Sequence, residues 1–227
     1  MSEKKTVAVA IDGPSGAGKS TVARILAKEL GFLYVDTGAL YRTVGYAALQ
    51  ENIDPHDTEA VGSLLPNITV TMGYVDGEQR VFLNGKDVSD FIRTPEVSMA
   101  ASAVSALPEV RKFLFNLQQD TAHRENVIMD GRDIGTVVLP FADVKIFLTA
   151  SAEERARRRL LELVEKGTEV TYEEVLEDMK VRDYNDSHRA TAPLKPADDA
   201  QLVNTDGIDL QQSVELLKNL ILSSLKG

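Results

Sequence analysis

Residues 13–20 read Gly-Pro-Ser-Gly-Ala-Gly-Lys-Ser, a complete G-x-x-x-x-G-K-[ST] phosphate loop. Such a loop works only between a buried strand and the start of a helix, and both flanks are present. The apolar run Val7-Ala8-Val9-Ala10-Ile11 leads into it, and a helix-like stretch from Lys19 to Leu30 follows. The strand anchors the loop, the glycines let backbone N–H groups close around an anion, and the helix presents its positive end. Gly13, Pro14, Ser15, Gly16, Ala17, Gly18 and Thr21 therefore form the cradle, Lys19 reaches the outer phosphates, and the Ser20 hydroxyl ligates Mg²⁺. The chain binds a nucleoside triphosphate or a group shaped like its phosphates.

At 227 residues the chain buries one substantial core with room for insertions. A net charge of −10 argues against broad, non-specific contact with nucleic acid or anionic membrane, so an anionic ligand must be drawn in by local arginines. There is no Cys, hence no disulfide or thiolate chemistry. His56, His123 and His188 lack ligand spacing and read as surface or loop residues. Lys4-Lys5 before an apolar run resembles a secretory start, but Asp12 ends that run short of a signal core. No stretch approaches the roughly 18 apolar residues of a membrane helix. A cytoplasmic monomer that binds neither nucleic acid nor membrane is expected.

Five β-branched runs stand out: Val7–Ile11, Phe32–Val35, Val127–Met129, Val144–Leu148 and Leu202–Val203. Near-continuous apolarity suits parallel strands covered on both faces, and helical patterns separate them. The pattern predicts a three-layer α/β/α fold on a five-stranded parallel sheet, with ligands beyond the carboxyl ends of its strands. Asp12, Asp36 and Asp130 each end a run and are expected to face that crevice. Two segments break the alternation. Ile68, Val70 and Met72, then Val81 and Leu83, alternate like a meander turning at Asp76-Gly77 and Asn84-Gly85. From Ser151 to Asp199 runs an Arg-rich helix, a Gly167 turn, a second helix and a polar loop, the pattern of a mobile lid. One domain is expected, with a core (1–60, 108–150, 200–227), an acceptor-side β-rich insertion (about 61–107) and a lid (about 151–199).

Arginine carries most of the chemical information. Arg155-Ala156-Arg157-Arg158-Arg159 holds four cations in five positions. Glu153–Arg157 and Glu154–Arg158 have favourable i,i+4 spacing, leaving Arg155, Arg158 or Arg159 to meet a phosphate. Three further clusters are candidates: Arg182 to Arg189, Asp130-Gly131-Arg132-Asp133, and Asp36-Thr37 with Arg42 one turn into a helix. Gly131 is expected to relax the backbone there. Either Asp36 or Thr37 caps that helix, and Asp36 or Asp130 reaches the metal through water.

The set G-P-S-G-A-G-K-S, D-T-G-A-L-Y-R, D-G-R-D-I-G-T-V-V and R-D-Y-N-D-S-H-R-A-T-A-P-L resembles bacterial-type cytidylate kinase, a P-loop nucleoside monophosphate kinase, nearly end to end. That resemblance implies phosphorylation of CMP or dCMP by ATP with Mg²⁺. It implies that Arg42, Arg132 and Arg189 hold the acceptor phosphate, that Ser102, Arg111 and Asp133 surround cytosine, and that Arg182 and Asp186 lie near the sugar. Thr37 and Tyr41 complete the CMP side; Ser replaces Thr37 in some members, keeping the hydroxyl. Lys19, Arg132, Arg158 and Arg189 are the expected catalytic set, with Arg155 and Arg158 on ATP. Cytosine N4 donates where uracil O4 accepts, so a carboxylate at Asp133 favours cytosine. A kinase for UMP, AMP or shikimate remains the nearest alternative. A non-catalytic nucleotide switch is remote, since no N-K-x-D guanine motif is present.

Overall fold

The computed structural model describes residues 6–165 and 167–226; Lys4 and Lys5 lie outside the described residues. Strand β1 (Ala8–Asp12) is buried along its whole length because two helical layers enclose it. It pairs in parallel with β6 (Val127–Gly131) on one side and β7 (Val144–Thr149) on the other. Strand β2 (Leu33–Asp36) adds beyond β6, and β8 (Gln201–Asn204) adds beyond β7. The sheet order is β2-β6-β1-β7-β8, all parallel, so the chain is a five-stranded α/β protein. Helices α1 (Lys19–Leu30) and α8 (Leu210–Ser224) cover one face through Val22, Leu26, Val214, Leu217 and Ile221. The other face packs against Ala122 of α5 (Pro108–Arg124) and a π-helical turn, Ile134–Val138. Helix α1 stops at Gly31, whose φ of 69° closes the last turn.

A second hydrophobic core lies beside the sheet. It joins α2 (Thr37–Gln50), α3 (Thr58–Leu64), α4 (Pro95–Val104) and the start of α5 to a small antiparallel sheet. That sheet comprises β3 (Val70–Val75), β4 (Glu78–Leu83) and β5 (Lys86–Asp87). Asp76-Gly77 and Asn84-Gly85 both have positive φ at each position, the geometry that suits the twist of two-residue hairpins. Ile68 precedes β3 rather than belonging to it. This core takes in α2 and part of α5, which boundaries at residues 61 and 107 leave with the main sheet. Helices α6 (Ala152–Glu165) and α7 (Tyr172–His188) form a third, much smaller cluster around Ala156, Val175 and Met179. A capping box at Thr171 and Glu174 starts α7. Among the described residues no helix is long and apolar enough to cross a membrane.

Candidate active site

The phosphate loop lies at the carboxyl end of β1, pressed against β7. A Cβ at Gly13 would sit 1.9 Å from Leu148 O, so only glycine fits there. Lys19 is buried and its Nζ donates to Pro14 O at 2.7 Å. Burial, with Arg132 nearby, pushes the Lys19 ammonium down, against the pull of Asp130 and Asp12. Ser20 Oγ donates to Asp130 Oδ2 at 2.7 Å, and Tyr34 Oη donates to Asp130 Oδ1 at 3.0 Å. Burial and the neighbouring Asp36 raise the Asp130 carboxyl. The donor set beside the loop is thus hydroxyl and carboxylate oxygen, the hard ligands that fit Mg²⁺.

Asp36 ends β2 and caps α2: its Oδ1 accepts from Ala39 N–H at 2.9 Å while Oδ2 pairs with Arg42 Nη2 at 2.7 Å. Burial works to raise this carboxyl, but Arg42 and the Ala39 N–H hold it below its ordinary value. The cap is therefore Asp36; Thr37 instead donates to Asp130 O at 2.8 Å. One turn on, the Tyr41 ring lies under the Arg111 guanidinium, 5.6 Å from its centroid. Arg111 is buried, donates to Ser105 O and pairs tightly with Asp133 Oδ2. Arg189 Nη2 lies 3.5 Å from Asp133 Oδ1. Arg132 Nε donates to Asp186 Oδ2 at 2.7 Å, tying the end of β6 to α7. Ser102 is carried by α4, which approaches α2 so closely that a Cβ at Gly45 would meet Ala101 N at 2.9 Å. The Ala100-Ala101-Ser102-Ala103 run thus packs a helix pair on one side and offers Ser102 on the other.

These groups converge. One cleft of about 370 Å³ is lined by Ser15, Gly16, Lys19, Ser20, Asp36, Thr37, Tyr41, Arg42, Ser102, Arg111, Asp130, Arg132, Asp133, Arg158, Arg182, Asp186 and Arg189. A neighbouring cavity continues from Gly16–Thr21 past Arg158 to Thr205, Ile208 and Leu210. Arg158 spans its wall, donating to Thr205 O at 2.7 Å and to Glu154 Oε1 at 3.1 Å.

Four expectations need correction. Asp12 does not face the cleft; its two oxygens accept from Ile134 N–H at 2.8 Å and Gly135 N–H at 2.7 Å, capping the π-helical turn from below. Arg155 does not line either cavity, because its guanidinium is committed elsewhere: to Ala150 O, to Ser15 O and to both oxygens of Asp183. Gly131 has no positive φ; it is needed for space, since a Cβ there would lie 2.8 Å from Thr37 Oγ1 and 2.7 Å from Ile134 Cδ1. The i,i+4 pair Glu154–Arg158 forms, whereas Arg157 pairs with Glu154 at 3.7 Å rather than with Glu153. Several lining residues carried no sequence signal as ligands: Ser98 and Ser105 beside α4, and Asp178 and Met179 on α7; Arg159, a candidate from the sequence, does line the cleft.

A family model for cytidylate kinase matches residues 9–223. Among curated relatives, a cytidylate kinase of Caldicellulosiruptor bescii is 49% identical over 98% of this chain and 98% of its own. That of Carboxydothermus hydrogenoformans is 53% identical over 94% of this chain and 96% of its own. A third, from Caldanaerobacter subterraneus subsp. tengcongensis, is 53% identical over 98% of this chain and 97% of its own.

Proposed function

This chain belongs to the cytidylate kinase family, and from that membership we propose how its residues perform the reaction. The enzyme transfers the γ-phosphoryl group of ATP to CMP or dCMP, giving ADP and CDP or dCDP. What carries the residue assignment is one cleft in which a phosphate loop meets Arg42, Arg111, Arg132, Arg182 and Arg189. In a chain of net charge −10 that concentration of cations matches two anionic ligands held face to face.

ATP lies with its phosphates in residues 13–21 and its base toward Thr205, Ile208 and Leu210, with Arg158 beside it. Arg155 acts behind this site, bracing the Ser15 carbonyl. CMP occupies the other half. Arg42, Arg132 and Arg189 hold its phosphate, Arg182 and Asp186 meet the sugar, and Ser102, Arg111 and Asp133 read the base over Tyr41 and Thr37. A phosphate oxygen of CMP attacks the γ-phosphorus as the bond to the bridging oxygen breaks, and ADP leaves. That oxygen is already largely ionised near neutral pH, so no general base is needed. Lys19, Arg132, Arg158 and Arg189 neutralise the charge shared among the oxygens in flight. Ser20 and Asp130, rather than Asp36, would hold Mg²⁺, which when bound supplies further neutralisation of the ATP phosphates; Asp36 is already committed to Ala39 and Arg42. Residues of about 61–107 and 151–199 close over the two ligands and exclude water, which would otherwise accept the phosphoryl group. Action as a monomer in the cytoplasm is part of the same proposal.

Coupled ADP release with CMP, dCMP, UMP and AMP as acceptors tests the assignment. ADP release with CMP and dCMP well above that with UMP and AMP is the expected outcome. Turnover that ignores the acceptor, or favours UMP or AMP, overturns it.

A further inference from the structure

Strand β2 is an edge strand of the main sheet, so one row of its main-chain groups has no neighbouring strand. Alternate residues of a strand turn their N–H and C=O to the same side, and here Tyr34 and Asp36 turn theirs outward. Two side chains of the small sheet meet them. Tyr74 Oη donates to Tyr34 O at 3.1 Å. The Gln79 amide takes both groups of Asp36: Asp36 N–H donates to Gln79 Oε1 at 2.7 Å, and Gln79 Nε2 donates to Asp36 O at 3.3 Å. Tyr74 and Gln79 are directly opposite each other across the β3–β4 ladder, so they act from one face as a pair.

The consequence runs to the cleft through Asp36. Its backbone is fixed by Gln79, its Oδ1 caps α2 and its Oδ2 holds Arg42 Nη2. Arg42 Nε is buried without a hydrogen-bond partner, so the Asp36 contact and chain packing alone orient this guanidinium among the described residues. We propose that Gln79, paired with Tyr74, is a positioning residue for the acceptor phosphate, setting Arg42 through the backbone of Asp36. This rests on the assignment of Arg42 to the acceptor phosphate made above. On this account the small sheet does more than pad the acceptor side: it fixes the register between the edge of the main sheet and the helix that grips CMP.

The test is a double-mutant cycle. Gln79→Met keeps the length of the side chain and removes both hydrogen bonds. Removing contacts of this kind is expected to lower kcat/KM for CMP about tenfold while KM for ATP changes less than about twofold. In an Arg42→Lys background, which loses the oriented guanidinium, the same change should lower kcat/KM by less than about twofold. Tyr74→Phe should act in the same direction more weakly, and it carries the test if Gln79→Met unfolds the protein. Multiplicative effects in the cycle, equal changes for both substrates, or a lower Tm with unchanged kinetics would each overturn the proposal. Arg42→Lys alone with normal CMP kinetics would instead overturn the assignment on which it rests.

Discussion

Asp133 Oδ2 accepts from Arg111, while among the described residues its Oδ1 has only the distant Arg189 contact, so under the proposed assignment Oδ1 is the oxygen that meets the base. A carboxylate there accepts from cytosine N4 and repels uracil O4. Asp133→Asn preserves the shape and, with its oxygen kept on Arg111, turns an NH₂ donor toward the base. The expected outcome is a CMP-to-UMP ratio of kcat/KM reduced by roughly ten- to a hundredfold, the size of a discriminating base contact. An unchanged ratio in the acceptor assay would remove Asp133 from base reading. Asp12 acts at the same scale without touching a ligand. It accepts two N–H groups that start the turn after Arg132 and Asp133, so it sets where those side chains begin. Asp12→Asn leaves one N–H facing an amide that cannot accept, a loss of about 1–3 kcal/mol in urea unfolding. Burial pushes the Asp12 carboxyl up to about 6, above its unfolded value near 3.8. The folded state therefore binds the extra proton, and this contribution is present in full below about pH 4 and lost as pH rises through about 6. Accordingly the stability of the native chain relative to Asp12→Asn should grow as pH falls from 7 to 5; a flat difference would contradict a raised carboxyl.

Helices α6 and α7 show how one residue can organise elements. Arg155 leaves α6, crosses to Ser15 O in the phosphate loop and ends on Asp183 of α7 at 2.5 Å. Its side chain is only 5% exposed, whereas that of Asp183 is 27% exposed. Arg155→Met should destabilise the protein by somewhat less than the ~3–5 kcal/mol of a fully buried broken pair, and should lower kcat as the loop loses its brace. Thermal unfolding and turnover together check this; normal turnover in the variant would show that the loop holds its shape unaided. The same contacts explain what was legible in the sequence. Four of the five strands were readable because burial on both faces makes each a near-continuous apolar run, whereas the edge strand β8 is mostly exposed and showed only Leu202-Val203; the small sheet was readable because Asp-Gly and Asn-Gly dictate its turns. The bracing by Arg155, the cap by Asp12 and the clamp by Gln79 join residues far apart in the chain, and no local period marks them. Four arginines on one helix look alike in sequence; only the fold decides that Arg155 turns inward to the loop and Arg158 spans a cavity wall.

At the scale of the molecule, the clusters on the two faces of the main sheet and the one beside it are all much larger than the cluster between α6 and α7, which is the weakest. Helices α6 and α7 share few fully buried residues, which makes them the part with the least apolar surface holding it in place. Their charged faces are divided. Arg158 and Arg159 on α6 line both the cleft and the cavity running to Thr205, while Arg182 and Asp186 on α7 line the cleft but not that cavity. A ligand confined to the cavity running to Thr205 therefore meets α6 and leaves α7 held by its neighbour alone. ATP with CMP engages both, and since the helices pack on each other through Ala156, Val175 and Met179, the second ligand meets a partner the first has already ordered. Limited proteolysis of residues 151–195 should then slow modestly with CMP or with ATP and fall much further with both, by more than the product of the single effects. Cleavage that slows only as that product would mean the helices respond separately. Cleavage unaffected by both ligands would mean this segment is a fixed wall, and exclusion of water from the transfer would have to come from the acceptor side alone.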